Sequence, residues 1–286
     1  MMGSAAGIAR LVVQAPDVDT PTLKALARLA GSAHIEALQR GSDQAFALAP
    51  VAGTAKLESY CARAGLDYAI VGPEQRLDRV RLIALDMDST LITIECIDEI
   101  AGMHGIGPQV AAITASAMRG EIDFRESLTR RVALLEGLDV GVLQRVYDQR
   151  LALSPGAERL LAGMRAVGAR SLLVSGGFTF FTERLKARLG LDHVCANTLE
   201  IAGGKLTGRL TGLIVDAEAK AACLKRLRAS VVADGLVVAI GDGANDLPML
   251  EAADVSVAYH AKPVVRARTS YAIDHCGLDA VLNLFV

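Results

Sequence analysis

The sequence carries almost no net charge. Its 286 residues include 30 Lys and Arg and 32 Asp and Glu, which leaves a formal charge of −2. Such a balance gives no basic field that would attract nucleic acid or an anionic membrane surface. We therefore expect neither nucleic acid nor a membrane as a partner, and any charge that the function uses must be concentrated in one place.

Long hydrophobic runs and closely paired cysteines are lacking as well. The longest apolar runs, such as residues 236–240, have the length of a strand and fall far below the roughly 20 residues that span a bilayer. Residues 1–10 lack the basic segment and the long apolar segment of a signal peptide. The five cysteines form no Cys-x-x-Cys pair, which argues against a zinc site and against a disulfide framework. These absences predict a cytoplasmic protein in a reducing environment.

The first part of the chain predicts a small α+β domain. An apolar share of 52% in 286 residues is enough for two domains, each with its own core. The order of elements before residue 78 is β-α-β-β-α-β, which is that of a ferredoxin-like unit. Strands are predicted at 8–14, 33–38, 44–48 and 68–71, and helices from Thr20 onward and over 54–64. We place the domain boundary near residue 78, so that the domains are 1–78 and 79–286.

The second part predicts a parallel sheet. Three short apolar runs, at 82–85, 171–174 and 236–240, each lead into a loop and then into a helical stretch. Near-continuous apolar strands that alternate with helices are typical of a parallel α/β sheet covered on both faces. In such Rossmann-like sheets, ligands bind beyond the carboxyl ends of the strands. The residues that follow these three runs are therefore the candidates for a functional site.

Acidic residues follow the first and the third run. Asp86 and Asp88 come directly after the first. Asp242, Asn245 and Asp246 come after the third. Solvated turns also contain such residues. However, carboxylates that meet at adjacent strand ends repel one another unless a cation lies between them, and a small set of oxygen ligands favours Mg²⁺. The acidic residues after the first and third runs therefore predict that Mg²⁺ binds where these two strands end.

The second run ends in a hydroxyl group and glycines. Ser175 and Gly176 stand at a strand-to-helix turn, where bare N–H groups and a hydroxyl can donate to a phosphate. Ser-Gly-Gly is common in loops, so this signal is weak by itself. Lys220 begins an amphipathic helix before the third run. Most lysines are solvated surface charges, but this position makes Lys220 a candidate partner for an anion.

These segments occur in the order of the motifs of one superfamily. Residues 86–90, Ser175, Lys220 and residues 241–246 resemble the four motifs of the haloacid-dehalogenase-like phosphohydrolases, and the resemblance covers about residues 81–286. Four motifs in the right order make it highly specific. It implies a Rossmann-like parallel sheet with a helical cap inserted between the first two motifs, at about residues 92–150.

The resemblance also implies a role for each of these residues. Asp86 is expected to be the nucleophile that forms an aspartyl-phosphate, and Asp88 to act as general acid and then as general base. Lys220 is expected to neutralise the phosphoryl oxygens. The other implied roles are Mg²⁺ binding by Asp86, the Asp88 carbonyl and Asp242, phosphate binding by Ser175 and Gly176, and support of the site by Asn245 and Asp246.

The sequence of the cap narrows the range of expected substrates. Residues 86–91, 95–100, 123–128 and 131–135 closely resemble the phosphoserine phosphatase family of that superfamily. This resemblance implies that the chain hydrolyses O-phospho-L-serine to L-serine and phosphate, the last step of serine biosynthesis.

Four cap residues follow from this second resemblance. Glu95 is expected to pair with the substrate ammonium group and Arg131 to bind its carboxylate through two N–H groups. Met118 and Phe124 are expected to exclude water from the closed site. From the residues alone, Glu95 and Arg131 are better explained as exposed helix charges, and only the resemblance favours a role in the site. Arg130 is an alternative to Arg131.

Other functions stay open at this point. A related enzyme would pass the phosphoryl group to another alcohol such as homoserine. A non-catalytic amino-acid sensor would usually lack the nucleophile or a metal ligand, and this chain keeps Asp86, Asp88, Lys220 and Asp242. The first domain resembles ACT-like domains, which leaves two hypotheses: a regulatory site for L-serine, or a module through which two copies form a homodimer.

Overall fold

The first four strands of the computed structural model form an antiparallel sheet. The structure describes residues 9–231 and 234–286. The first unit contains β1 (Arg10–Ala15), α1 (Thr20–Ala30), β2 (His34–Leu38), β3 (Gln44–Ala49), α2 (Leu57–Ala64) and β4 (Asp67–Val71). Its strand order, β2-β3-β1-β4, confirms the predicted ferredoxin-like order. The predicted strand start at residue 8 and most of the segment inspected for a signal peptide lie outside the described residues.

Local sequence signals explain the ends of α1. Asp19 precedes the helix, and its Oδ1 accepts a hydrogen bond from the N–H of Thr22 at 2.7 Å. This bond satisfies one of the N–H groups that a helix start leaves unpaired. Pro21 stands in the first turn, where its missing N–H is no loss. Gly31 ends the helix with a φ of 66°, a left-handed conformation that favours glycine.

The two faces of this sheet contact different parts of the protein. Leu11 and Val13 of β1 belong to the core of the first unit. Val12 lies between them and, with Ala69 and Val71 of β4, belongs to the core of the second unit. Successive side chains of a strand point to opposite faces. The first unit is therefore fixed to the second through the face of its sheet that its own helices leave uncovered.

A buried carboxylate adds hydrogen bonds to this contact. Asp67, the first residue of β4, is 3% exposed. Its oxygens accept the backbone N–H groups of Asp274, His275 and Cys276 at 2.7–3.2 Å. Hydrogen bonds to an ionised acceptor are stronger than those between neutral groups. Asp67 therefore holds the segment 274–276 against the first unit.

The second unit begins with a buried strand and a helical insertion. Strand β5 (Val80–Asp86) leads into a turn at residues 87–91. The helices that follow are α3 (Cys96–Gly102), α4 (Gly107–Met118), α5 (Phe124–Ala133) and α6 (Gly141–Gln149). The segment predicted as a cap, at about 92–150, therefore consists mainly of helices, and its limits stay a prediction.

The rest of the second unit alternates strands and helices. In chain order it contains α7 (Ala157–Ala166), β6 (Arg170–Phe178), α8 (Thr179–Leu189), β7 (His193–Ala202), β8 (Lys205–Thr211), α9 (Ala217–Val231), β9 (Leu236–Gly241), α10 (Leu247–Glu251), β10 (Val255–Tyr259), α11 (Pro263–Arg266) and β11 (Tyr271–Ile273). The sheet order is β11-β10-β9-β5-β6-β7-β8. All neighbouring pairs are parallel except β7 and β8. This confirms the predicted α/β class. Within the described residues, no helix is both long and apolar enough to cross a membrane.

The central strand is apolar on both faces because helices cover both. Leu82 and Ala84 of β5 pack into one hydrophobic cluster, and Ile83 and Leu85 pack into another. Strands β6 and β9 flank β5 in parallel. The carboxyl ends of these three strands, and with them the three predicted motifs, therefore meet at the same edge of the sheet.

Two cysteines that the sequence does not pair meet in the fold. Cys195 of β7 and Cys223 of α9 face each other, with Cα atoms 6.9 Å apart. They are 28 residues apart in sequence, and no local spacing signals the pair, because only the fold brings this strand and this helix together. The other cysteines, Cys61, Cys96 and Cys276, are free and buried.

Candidate active site

A cavity of about 450 Å³ lies between the cap and the carboxyl ends of β5, β6 and β9. Most of the predicted site residues line it. They are Asp86, Asp88, Gly176, Lys220, Asp242 and Asn245 from the sheet side, and Glu95, Met118, Phe124 and Arg131 from the cap. The two other predicted residues, Ser175 and Asp246, are buried beside residues that line it. The fold therefore brings all the predicted site residues to one place.

A buried lysine joins two carboxylates at this cavity. Nζ of Lys220 donates to Oδ1 of Asp86 at 2.5 Å and to Oδ1 of Asp246 at 2.7 Å. Burial alone lowers the pKa of Lys220, but the charges of Asp246 and Asp86 outweigh burial, so its pKa is raised and the lysine stays charged. Burial, and after it the charge of Asp246, raises the pKa of Asp86 well above its usual value.

Asp88 is a carboxyl group that titrates near neutral pH. Its Oδ1 accepts the N–H of Cys96, the first residue of α3, at 3.2 Å. Burial, and after it the charge of Glu95, raises the pKa of Asp88 to about 7. A carboxyl group with this pKa is present both as acid and as base near neutrality. That property suits a group that donates a proton and then accepts one.

Three carboxylates form a cluster of the right size for a metal ion. Oxygens of Asp86, Asp242 and Asp246 lie within 4.8 Å of one another. Asp246 is already engaged, because it binds the lysine and its Oδ2 accepts the N–H of Gly243 at 3.0 Å. Oδ1 of Asp242 accepts the hydroxyl of Thr90 at 3.2 Å. Burial, and after it the charge of Asp246, raises the pKa of Asp242 to about 6. Repelling oxygen ligands of this kind fit a hard divalent cation, with Asp86 and Asp242 on the cavity side.

The end of β6 is a narrow turn between the core and the cap. The N–H of Gly177 donates to Oγ of Ser175 at 2.8 Å. A Cβ atom on Gly177 would lie 2.8 Å from Oδ2 of Asp88, and one on Gly176 would lie 2.9 Å from Cζ of Phe124. Neither position has room for a side chain, so the backbone lies bare at the cavity. Such a turn can present N–H groups to an anion.

The cap wall carries charges of both signs. Oε1 of Glu95 accepts the hydroxyl of Ser89 at 2.8 Å, and Arg131 lines the cavity beyond it. Arg130 instead lies 2.5 Å from Glu126 in an exposed pair along α5. The structure therefore places Arg131, and not Arg130, at the cavity.

The two apolar cap residues differ in exposure. Phe124 is half-buried against the turn at Gly176. Met118 also lines the cavity, but it is 71% exposed. The expectation that Met118 excludes water from the site is therefore not met in this structure. The reason is that Met118 is the last residue of α4 and is exposed, whereas the residues before it in the last turn are half-buried.

Three further residues of the site were not predicted from the sequence. Lys262 and Asp98 line the cavity, and Thr90 orients Asp242. Lys262 follows β10, the next parallel strand after β9. The rule that pointed to the other strand ends would have found Lys262 if the apolar run 255–259 had been included. Asp98 follows Glu95 by three residues, a spacing that places two side chains on the same side of a helix.

Comparisons with known proteins cover both units. Family models described as haloacid dehalogenase-like hydrolase match residues 83–251 and 218–285. A domain family of unknown function matches residues 11–56, so the ACT-like resemblance stays a prediction. A phosphoserine phosphatase of Polaromonas sp. (strain JS666 / ATCC BAA-500) is 50% identical over 226 residues, which are 77% of this chain and 96% of that protein.

Two solved structures share the whole fold. A haloacid dehalogenase family hydrolase from Salmonella enterica subsp. enterica serovar Typhi is 35% identical, with a TM-score of 0.88 over 97% of this chain and 99% of that one. A probable phosphoserine phosphatase from Vibrio cholerae, in its unliganded form, is 37% identical, with a TM-score of 0.84 over 98% of this chain and 86% of that one. The chain therefore belongs to the haloacid dehalogenase-like hydrolases and, among them, to the phosphoserine phosphatase family.

Proposed function

We propose that this enzyme hydrolyses O-phospho-L-serine to L-serine and phosphate with Mg²⁺, as the last step of serine biosynthesis in the cytoplasm. The observation that carries this proposal is a single cavity lined by two different sets of charged groups. On the core side Asp86 is held by Lys220, and on the cap side Glu95 and Arg131 offer one charge of each sign. A phosphate ester of a zwitterionic amino acid has the matching charges.

Asp86 is the proposed nucleophile. Its carboxylate attacks the phosphorus atom, an aspartyl-phosphate forms, and the bond from phosphorus to the serine oxygen breaks. Lys220 holds Oδ1 of Asp86 at 2.5 Å and keeps a positive charge beside the transferred group. Phosphoryl transfer depends mainly on positioning and on neutralising charge on the phosphoryl oxygens.

Asp88 is the proposed general acid and base. In its protonated form it gives a proton to the serine oxygen as that oxygen leaves. It then takes a proton from the water molecule that attacks the aspartyl-phosphate and releases phosphate. A pKa of about 7 supports this exchange near neutral pH.

Mg²⁺ is the proposed cofactor. The main-chain carbonyl of Asp88 and the carboxylates of Asp86 and Asp242 would hold it, and it would supply positive charge to the phosphoryl oxygens. Asp246 supports the site indirectly, because it accepts a hydrogen bond from Lys220 and so holds that side chain in place. The hydroxyl of Ser175, the N–H of Gly176 and the amide of Asn245 are the proposed neutral phosphate ligands.

The cap residues are the proposed specificity determinants. Glu95 pairs with the substrate ammonium group, and Arg131 binds the carboxylate in a bidentate manner. Phe124 covers the substrate from its place against the turn at Gly176.

Phosphate release from L-phosphoserine with Mg²⁺ tests this proposal. Wild type should turn over this substrate, Asp86→Asn should lose turnover, and Asp148→Asn on the outer surface of α6 should behave like wild type. Robust turnover by Asp86→Asn contradicts the nucleophile assignment. Turnover only of unrelated phosphoesters contradicts the substrate. Formation of phosphohomoserine when homoserine is added would instead support a phosphotransferase.

The first domain, proposed as an ACT-like module over 1–78, either binds L-serine or joins two copies in a homodimer. Equilibrium dialysis with labelled L-serine on the full chain separates these hypotheses. The Arg131→Met variant is measured beside wild type, because it weakens binding of L-serine in the catalytic cavity and leaves any site in the first domain intact. Saturable binding that persists in the variant supports the regulatory site. Its absence, together with a dimer in analytical ultracentrifugation, supports the second hypothesis.

A further inference from the structure

An ion pair joins the cap to the core beside the cavity. Nε and Nη2 of Arg125 lie 2.6 and 2.5 Å from Oδ2 of Asp216. Arg125 is the second residue of α5, in the cap, and Asp216 directly precedes α9, in the core. The side chain of Asp216 is 11% exposed, whereas that of Arg125 is 58% exposed. Arg125 can therefore separate from Asp216 without its own side chain moving out of a buried position.

Asp216 is built into the start of α9. Its Oδ1 accepts the N–H of Ala219 at 3.0 Å, and its carbonyl oxygen accepts the N–H of Lys220 at 2.9 Å. Asp216 therefore caps the helix whose first turn carries the lysine that binds Asp86. The carboxylate of Asp216 therefore binds Arg125 of the cap through Oδ2 and the first turn of α9 through Oδ1.

Arg125 lies on the same helix as two cap residues that line the cavity. Phe124, its neighbour, contacts the turn at Gly176, and Arg131 lies on the same helix and lines the cavity. Moving α5 away from α9 would move Arg131 away from Lys220.

We propose that Arg125 and Asp216 form a latch, which holds the cap at the distance where Arg131 and Lys220 bind opposite ends of one substrate. This inference rests on the proposed function, because it needs a substrate that spans both ends. Arg125 and Asp216 are positioning residues and touch no reacting atom.

A second ion pair on the same helix provides a matched control. Arg130 and Glu126 are four residues apart on α5, are both exposed, and connect nothing but successive turns. An ordinary surface pair of this kind contributes little to stability. If the Arg125–Asp216 pair were only a surface pair, its loss would have the same small effect as the loss of the Arg130–Glu126 pair.

The test compares Arg125→Ala, Asp216→Asn and Arg130→Ala with wild type. Asp216→Asn keeps an oxygen that accepts the N–H of Ala219 but removes the charge. We expect the first two variants to raise the KM for L-phosphoserine about 10-fold, with little change in kcat, as the loss of one charge-assisted contact implies. Turnover of p-nitrophenyl phosphate, which has no ammonium or carboxylate to reach Arg131, should change less than about 2-fold. Arg125→Lys should restore part of the KM effect.

Hydrogen exchange of the cap gives a readout that does not depend on the substrate. Amides of α5 should exchange faster in Arg125→Ala and in Asp216→Asn than in wild type and Arg130→Ala. Equal exchange and equal KM in all four proteins would overturn the latch. If wild type fails to hydrolyse L-phosphoserine, the proposed function is wrong, and the exchange data alone decide whether the pair holds the cap.

Discussion

Lys220 Nζ lies 2.5 Å from Oδ1 of Asp86 and 2.7 Å from Oδ1 of Asp246, and all three side chains are buried. The ammonium group of Lys220 thus lies between two carboxyl groups in a buried region. These three side chains are sensitive to the loss of Lys220, because a carboxylate that is left buried without a partner lowers the stability of the fold.

Replacing Lys220 with methionine should abolish most activity and also weaken the fold. We expect kcat for L-phosphoserine to fall about 10³-fold, since the phosphoryl oxygens lose a preorganised positive charge. Thermal unfolding should shift to lower temperature because Asp86 and Asp246 lose their shared partner. Lys225→Met, at an exposed position of the same helix, is the control and should change neither quantity. An active Lys220→Met variant would refute the role of this lysine.

Stabilisation by Mg²⁺ should increase with pH. The pKa of Asp242 is raised by burial and by the charge of Asp246 from 3.8 to about 6 in the metal-free fold. The folded chain therefore keeps a proton that the unfolded chain has already lost, and metal-free stability falls as pH rises through this interval. Mg²⁺ binds the deprotonated form, so it offsets a larger cost at higher pH.

Thermal unfolding with and without Mg²⁺ at pH 5 and pH 7.5 measures this effect. The Mg²⁺-induced rise in Tm should be larger at pH 7.5. Asp242→Asn should reduce the rise at both values and weaken its pH dependence, while Asp86, whose pKa is also raised, still titrates. A rise that is the same at both pH values in wild type would show that these carboxylates do not hold the ion.

The two charged cap residues should affect amino-acid phosphates selectively. Arg131→Met and Glu95→Gln should each lower kcat/KM for L-phosphoserine about 10- to 100-fold, because each removes a charged partner of the substrate. Arg130→Met should have no comparable effect. Phosphoethanolamine, which lacks the carboxylate, should discriminate only weakly between wild type and Arg131→Met. A strong loss with Arg130→Met would show that the assignment is shifted by one residue.

Asp67 should be the most sensitive polar residue of the contact between the two units. Asp67→Ala leaves the N–H groups of residues 274–276 without their acceptor, and Cys276 among them is buried. We expect the free energy of unfolding to fall by about 3 kcal/mol, in line with one unsatisfied buried donor and two further lost hydrogen bonds. Urea denaturation measures this change, with the exposed Glu58→Ala as control. Equal midpoints for the two variants would contradict it.

The sequence was a good guide where the signal is local. Apolar runs predicted the central strands, and the acids that follow them predicted which side chains meet, because parallel strands end at one edge. Asp86, Asp88 and Asp242 were found in this way. Glu95 and Arg131 look like exposed helix charges by themselves, and only the resemblance to a family singled them out.

Features that depend on packing between distant segments were not accessible. Cys195 and Cys223 come together only because of how β7 and α9 are placed. The pairing of Arg125 with Asp216 spans 91 residues of sequence. The exposure of Met118 depends on how α4 lies over the cavity, which no local pattern of apolar residues determines.

Val12, Ala69 and Val71 have a consequence for how this protein can be shortened. They cover apolar surface of the catalytic unit, so a chain that starts at residue 79 would expose that surface to water. Loss of solubility is then the first expected outcome of such a truncation, whatever the first unit binds. Changes in regulation are better sought with point substitutions on the helical side of its sheet, which leave this cover in place.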